Sequence, residues 1–304
     1  MKLPVIGMTV LFLAGPAILA AGDINENYQA LQQAVEKKDI DGVKKLALEV
    51  YPQVTELLKT PAPQGADEKK DWTAQMDYGK SVGSYAEYGL FAMAVIAEPA
   101  KTIDLVNTLE SLNPKSKYLD QSYPYYLIAL NKTGAQAKIP EIAEKGLVNF
   151  PENEDLLQVV MEAALTKNQT GKAVGYAQRL VAALNKHTKP EGVPQADWDR
   201  KKSSGLGRGY FIIGFTAGQA NQFKVADTNL RAALPMIQGI PSMAGPALFY
   251  LGVANYNIGK MTLNKAKMLE AAKFSDQCAA IAGPFQDQAL HNSALIKKEA
   301  AGMR

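Results

Sequence analysis

The chain has 304 residues, 47% apolar, 21% charged and 8% aromatic, enough apolar material for a substantial core, which excludes intrinsic disorder and collagen-like structure. Its 33 basic and 30 acidic residues leave a net charge of +3, too slight by itself to imply a nucleic-acid partner or an anionic membrane. One cysteine, Cys278, and two histidines, His187 and His291, exclude a disulfide scaffold and the usual soft-ligand zinc sites, and no metal or cofactor is expected.

Residues 1–21 read as a secretory signal peptide. Lys2 gives a positive start, residues 5–14 are almost unbroken apolar sequence, and Gly15-Pro16 would break a helix just before Ala20-Ala21-Gly22. A retained anchor is the competing reading, since residues 3–21 approach the roughly 20 residues that span a bilayer, yet Pro4, Gly7, Gly15 and Pro16 make a poor membrane helix. No cysteine follows to carry a lipid. The chain after cleavage is therefore expected to be exported into a periplasm-like space and to hold no membrane span.

Beyond this point apolar residues recur at spacings of three and four, and no strict alternation between hairpin turns occurs, so the class is all-α. Residues 40–58 are an example, with Val43, Leu46, Ala47, Val50, Val54 and Leu57 in one stripe and Asp39 and Asp41 at the favourable end for negative charge. The Pro/Gly cluster at 60–65 ends this helix. It separates an N-terminal helical pair with its linker, residues 22–66, from the remainder.

Two units superimpose at an offset of 34, with Leu127 on Met161, Leu130 on Ala164, Gly134 on Asn168, Ala143 on Ala177 and Gly146 on Leu180. Each reads as a helical hairpin. A later pair aligns Gly214 with Gly252 at an offset of 38 (252 − 214), with Phe223, Ala226 and Ala233 facing Met261, Asn264 and Ala271. A weaker copy ends at Leu112-Asn113-Pro114, so five hairpins are arguable over residues 67–283. Residues 186–208 interrupt them as an insertion, and residues 284–304 read as a C-terminal capping helix.

Leu251-Gly252, Ile213-Gly214, Ala226, Ala233, Ala271 and Pro151 resemble the tetratricopeptide repeat family, whose 34-residue hairpin carries a Leu-Gly-like pair in its first helix and small residues in its second. The resemblance covers roughly residues 85–274 and implies an α-solenoid of antiparallel hairpins forming a right-handed superhelix. Asn264 and Asn255 depart from its pattern, and the offsets imply insertions of four and nineteen residues. Independently of the family, Gly214, Gly252, Ala226, Ala233 and Ala271 read as packing notches where helices 8–10 Å apart need small side chains.

The resemblance also implies a concave groove lined by the first helices, at Ile128, Asn131 and Lys132, at Glu162, Leu165 and Thr166, at Phe211, Phe215 and Gln219, and at Phe249, Val253, Tyr256 and Asn257. This face mixes apolar and amide groups without a row of cations, which suits a neutral protein or peptide segment. The competing reading makes Phe211, Phe215 and Phe249 core. Tyr78, Tyr85, Tyr88, Tyr118, Tyr123, Tyr125 and Tyr126 suit either recognition or packing between hairpins, and packing is the preferred reading. The basic insertion reads as a solvated run, with docking to an anionic envelope surface as the alternative, and Trp198 as an inward-packing residue near the start of a long helix.

Catalytic motifs are not found. Gly79-Lys80-Ser81 lacks the first glycine of a phosphate loop, Gly205-Leu206-Gly207-Arg208-Gly209 follows no strand and reads as a flexible linker, and no H-E-x-x-H or G-x-S-x-G run occurs. The expectation is a non-enzymatic protein-interaction scaffold of the bacterial cell envelope. The alternative is an exported enzyme acting on cell-wall glycan, with an acidic Glu in an aromatic pocket. Homo-oligomerisation stays open.

Overall fold

A computed structural model describes residues 18–190 and 192–303, so most of the expected signal peptide lies outside the described residues. Those residues form thirteen α-helices and one 3-10 turn, with no strand among them. The chain divides between Phe150 and Pro151 into two units. The first holds α1 (Ile18–Glu36), α2 (Ile40–Leu57), α3 (Ala66–Ile96), α4 (Pro99–Leu112), α5 (Lys117–Lys132), the 3-10 turn (Gln136–Lys138) and α6 (Ile139–Asn149). The second holds α7 (Glu154–Thr166), α8 (Thr170–Lys186), α9 (Gln195–Gln219), α10 (Phe223–Ile237), α11 (Pro241–Met261), α12 (Lys265–Ala279) and α13 (Gln286–Ala301).

This division differs from the boundary expected near residue 65. Ile24 of α1, Val50 and Val54 of α2 and Val82 of α3 bury one another, with Tyr28 and Leu57 packed on them, so the N-terminal pair shares a core with α3. The 60–65 segment is only a loop within the unit, closed by Trp72 Nε1 donating to the Thr60 carbonyl at 2.9 Å. Sequence rules account for α2 directly: Asp39 caps it by accepting from the Gly42 N–H at 3.0 Å, and Val43, Ala47, Val50 and Val54 are its buried stripe.

Five turns share one backbone device. Lys38, Gly134, Asn168, Asn221 and Leu263 all have φ between 53° and 76°. The next residue donates back to a carbonyl five positions earlier, as in Asp39 to Ala34, Ala135 to Leu130, Gln169 to Ala164, Gln222 to Ala217 and Asn264 to Gly259, at 2.8–2.9 Å. This is a Schellman closure, which satisfies the last carbonyls of one helix and reverses the chain into the next.

These turns also correct the repeat register. Gly134 and Asn168 keep the offset of 34, but Asn221 and Leu263 are 42 apart (263 − 221) rather than 38. The added residues lie in the first helix, since α11 has 21 residues where α7 has 13. Offsets of 38 and 42 differ by four residues, close to one helical turn of 3.6, so an amphipathic pattern matches itself nearly as well at either. Asn264 accordingly is not at a small-residue position. It caps α12, accepting from Lys267 N–H at 3.0 Å.

Consecutive helices pack together from α1 to α5 and from α7 to α13, and first helices of successive hairpins also touch, α1 on α3, α3 on α5, α9 on α11 and α11 on α13. The expected flexible linker at 205–209 is instead the middle of α9. A Cβ on Gly205 would lie 2.6 Å from Leu184 of α8, on Gly207 2.9 Å from Met236 of α10, and on Gly209 2.7 Å from Val181 of α8. Glycine costs a helix about 1 kcal/mol per position, and here close approach to two neighbouring helices offsets it. Trp198 is buried near the start of α9. At the far end α13 covers the preceding hairpin, with Ile296 and Ala300 on Met268, Ala271 and Ala272, and Ala289 on Leu248, Phe249 and Cys278.

Candidate functional site

The first helices of unit one carry a continuous row of aromatic rings. Tyr28 of α1 meets Tyr78 and Tyr85 of α3 edge to face, at centroid distances of 6.2 and 5.4 Å. Tyr85 meets Tyr88 at 5.7 Å, and Tyr88 meets Tyr118 of α5 at the same distance. Phe91 then bridges Tyr118 at 5.9 Å and Tyr125 at 6.3 Å. Every ring in the row is half-buried or exposed. The spacing explains the alignment, because 78, 85, 88 and 91 recur every three or seven residues along α3, and 118 and 125 are two turns apart on α5.

The row has polar flanks. The Tyr78 hydroxyl bonds to Asn25, and Tyr28 to Gln32. Lys117 stands 4.9 Å over the Tyr118 ring. Burial, reinforced by Tyr28, Tyr88 and Glu36, pushes the Tyr85 hydroxyl up to about 12, so it is a neutral donor and acceptor at any physiological pH. Ile128, 54% exposed, and the exposed Asn131 and Lys132 continue along the same helix from Tyr125. The groove positions expected on α5 thus lie beside tyrosines assigned to packing.

In unit two the aromatic positions of the expected groove are largely buried, the arrangement of the competing reading that makes them core. Phe211 and Phe249 are only 8% and 7% exposed. Phe211 stacks on Phe215 at 5.4 Å, Phe215 meets Tyr250 at 5.2 Å, and Phe249 meets Phe285 at 4.6 Å, a ring cluster spanning α9, α11 and the approach to α13. Val253 packs at the edge of this cluster. Asn257 turns back onto the Val253 carbonyl at 2.8 Å, and Tyr256 donates to Glu299 of α13 at 3.0 Å. Glu162 is taken up by Arg208 at 2.6 Å, while Gln219 remains exposed.

The notch residues are tightly surrounded. A Cβ on Gly214 would come 2.7 Å from Leu230, and one on Gly252 2.7 Å from Ser275, while Ala226, Ala233 and Ala271 have no exposed surface. Asn255 is also fully buried, as the centre of a polar network: it donates to Asp227 at 2.6 Å and accepts from Arg231 at 2.9 Å and Lys267 at 3.0 Å. Glu270 completes it by pairing with Arg231 at 2.6 Å and Lys267 at 2.9 Å.

The basic run at 186–208 is not a free cationic surface. Lys186 pairs with Glu152 at 2.6 Å, Lys201 with Asp155 at 2.7 Å, Arg208 with Glu162, and His187 sits between Glu154 at 2.6 Å and Glu152 at 3.4 Å. Acids at the start of α7 and along it neutralise the segment where it lies. In unit one a second arrangement escaped sequence reasoning: buried Glu87 of α3 accepts from Tyr51 at 3.0 Å, Asn113 at 2.8 Å and Ser116 at 2.6 Å, tying α2 and the α4–α5 corner to α3.

Comparison with protein-family models gives no match for this chain, and comparison with curated proteins gives none either.

Proposed function

We propose that the protein is a non-enzymatic interaction scaffold, built as a tetratricopeptide-like solenoid and exported to the cell envelope, that holds an extended, uncharged segment of a partner protein along the aromatic row of its first unit. The observation that carries this reading is the row itself: seven rings on α1, α3 and α5, accessible along its length and contributed by three successive first helices. Tyrosine offers rigid contact area at a low entropy cost and a hydroxyl for backbone groups. Four of the row's six ring contacts are edge to face and leave furrows between the rings, while Phe91 stacks on Tyr118. Such furrows suit proline and aliphatic side chains of an extended chain better than the faces of sugar rings.

Selection of displayed random peptides on the protein tests this, with a Tyr85→Ser/Tyr118→Ser variant of confirmed fold as the counter-target. The expected peptides are uncharged, rich in proline and aliphatic residues, and lost on the variant. A selection that yields no such peptides, or peptides held equally by both proteins, overturns the reading.

A further inference from the structure

In unit two α9 to α12 pack in sequence, and the turns after α9 and α11 come together. These two turns are in direct apposition, with Asn221, Phe223 and Val225 facing Ile258, Met261 and Thr262 across a mainly apolar cleft of about 270 Å³. The C-terminal end of α13 lies at the same edge, where Lys265 Nζ donates to the Met303 carbonyl at 2.7 Å.

Two features of this edge are independent of one another. The first is an apolar tip. Met261 is 76% exposed and Leu263 83%, and Leu263 also adopts φ 53°, a left-handed conformation that asparagine or glycine takes at lower cost. Neither packing nor backbone preference accounts for leucine there. The second is charge. The segments 219–226 and 258–267 contain Lys224, Lys260, Lys265 and Lys267 and no acid. Lys260 faces Glu299 at 3.5 Å and Lys267 faces Glu270 and Asp227, but Lys224 and Lys265 are exposed and have no carboxylate partner among the described residues.

We propose that this edge docks on an anionic lipid surface, with Met261 and Leu263 entering the interfacial layer and the surrounding lysines meeting lipid phosphates. An apolar tip flanked by Lys224 and Lys265, neither of which faces a carboxylate among the described residues, matches both layers of such an interface. A second copy of the chain would bring the same lysines against one another, which disfavours self-association through this edge. The residues of this edge all belong to unit two, and none of them is part of the aromatic row.

Co-sedimentation of the protein with phosphatidylglycerol-containing vesicles and with phosphatidylcholine vesicles, at low and high salt, tests the proposal. The quantity read is the excess of binding to the anionic vesicles. Met261→Ser with Leu263→Asn should cut that excess about tenfold or more while thermal stability holds or rises, because asparagine tolerates the left-handed turn. Lys224→Gln with Lys265→Gln should cut it about fivefold per charge at low salt, with the difference vanishing at high salt. An absent excess, or one that both variants retain, overturns the proposal. So does self-association without vesicles that Leu263→Asn abolishes, which would make a second copy the occupant.

Discussion

Gly218 on α9 lies directly under the ring of Tyr250 on α11, so close that a Cβ at position 218 would sit 2.6 Å from Cδ1 and 3.0 Å from the tyrosine Cβ. Phe215, Phe249 and Phe285 surround Tyr250 and block its retreat. Gly218→Ala should therefore destabilise the protein by about 1–3 kcal/mol through overpacking. Gly175, inside α8 with nothing within 4 Å of its added Cβ, is the control, and Gly175→Ala should stabilise by about 0.5–1 kcal/mol. Chemical denaturation of both variants checks the pair, and like signs would contradict this account of the α9–α11 approach.

Ala233 has no exposed surface on the face that α10 packs against its neighbours. Ala233→Leu should lower stability by about 1–3 kcal/mol, whereas a threshold-level change would mean that the hairpin has room it does not display. Thermal unfolding measures this directly.

Glu87 is the acceptor for three side chains from two other parts of unit one. Burial, reinforced by the Glu87 carboxylate, pushes the Tyr51 hydroxyl up to about 12, keeping that donor protonated. Glu87→Ala leaves Tyr51, Asn113 and Ser116 without their partner and should cost about 2–4 kcal/mol, while Glu87→Gln, which retains one acceptor oxygen, should cost less. Equal losses in the two variants would contradict the partial rescue expected from the remaining acceptor oxygen.

His187 is pulled down by burial but raised further by hydrogen bonds and charge from Glu154 and Glu152, so its folded-state pKa lies above the ordinary value of 6.5. The clamp's contribution is complete below that ordinary value and is lost as pH rises through the folded one. Melting curves between about pH 5.5 and 8.5 should show the native protein losing stability with rising pH relative to His187→Gln. Parallel pH profiles would contradict the clamp.

The helical class was legible because a 3.6-residue period is written in apolar side chains, and the 34-residue hairpin offset was legible where Gly134 and Asn168 mark equal turns. The register between α9 and α11 was not, because a slip of four residues preserves the same face. Gly205, Gly207 and Gly209 suggested a linker for a related reason: local glycine chemistry favours flexibility, and the helices that require close approach come from elsewhere in sequence. The tyrosines of α3 and α5 could be placed on one face by spacing, yet only the apposition of α1, α3 and α5 joins them with Tyr28 into a row. Glu87 carried no sequence signal, since its three partners lie 26 to 36 residues away.

The most direct test of the scaffold reading is photo-crosslinking in living cells, with benzoylphenylalanine in place of Tyr88 in the aromatic row and, separately, in place of Phe215 in the closed ring cluster. The account predicts a discrete partner adduct from position 88, suppressed by Tyr85→Ser with Tyr118→Ser, and none from position 215. An adduct from position 215 with none from position 88 would contradict it and return recognition to the second unit.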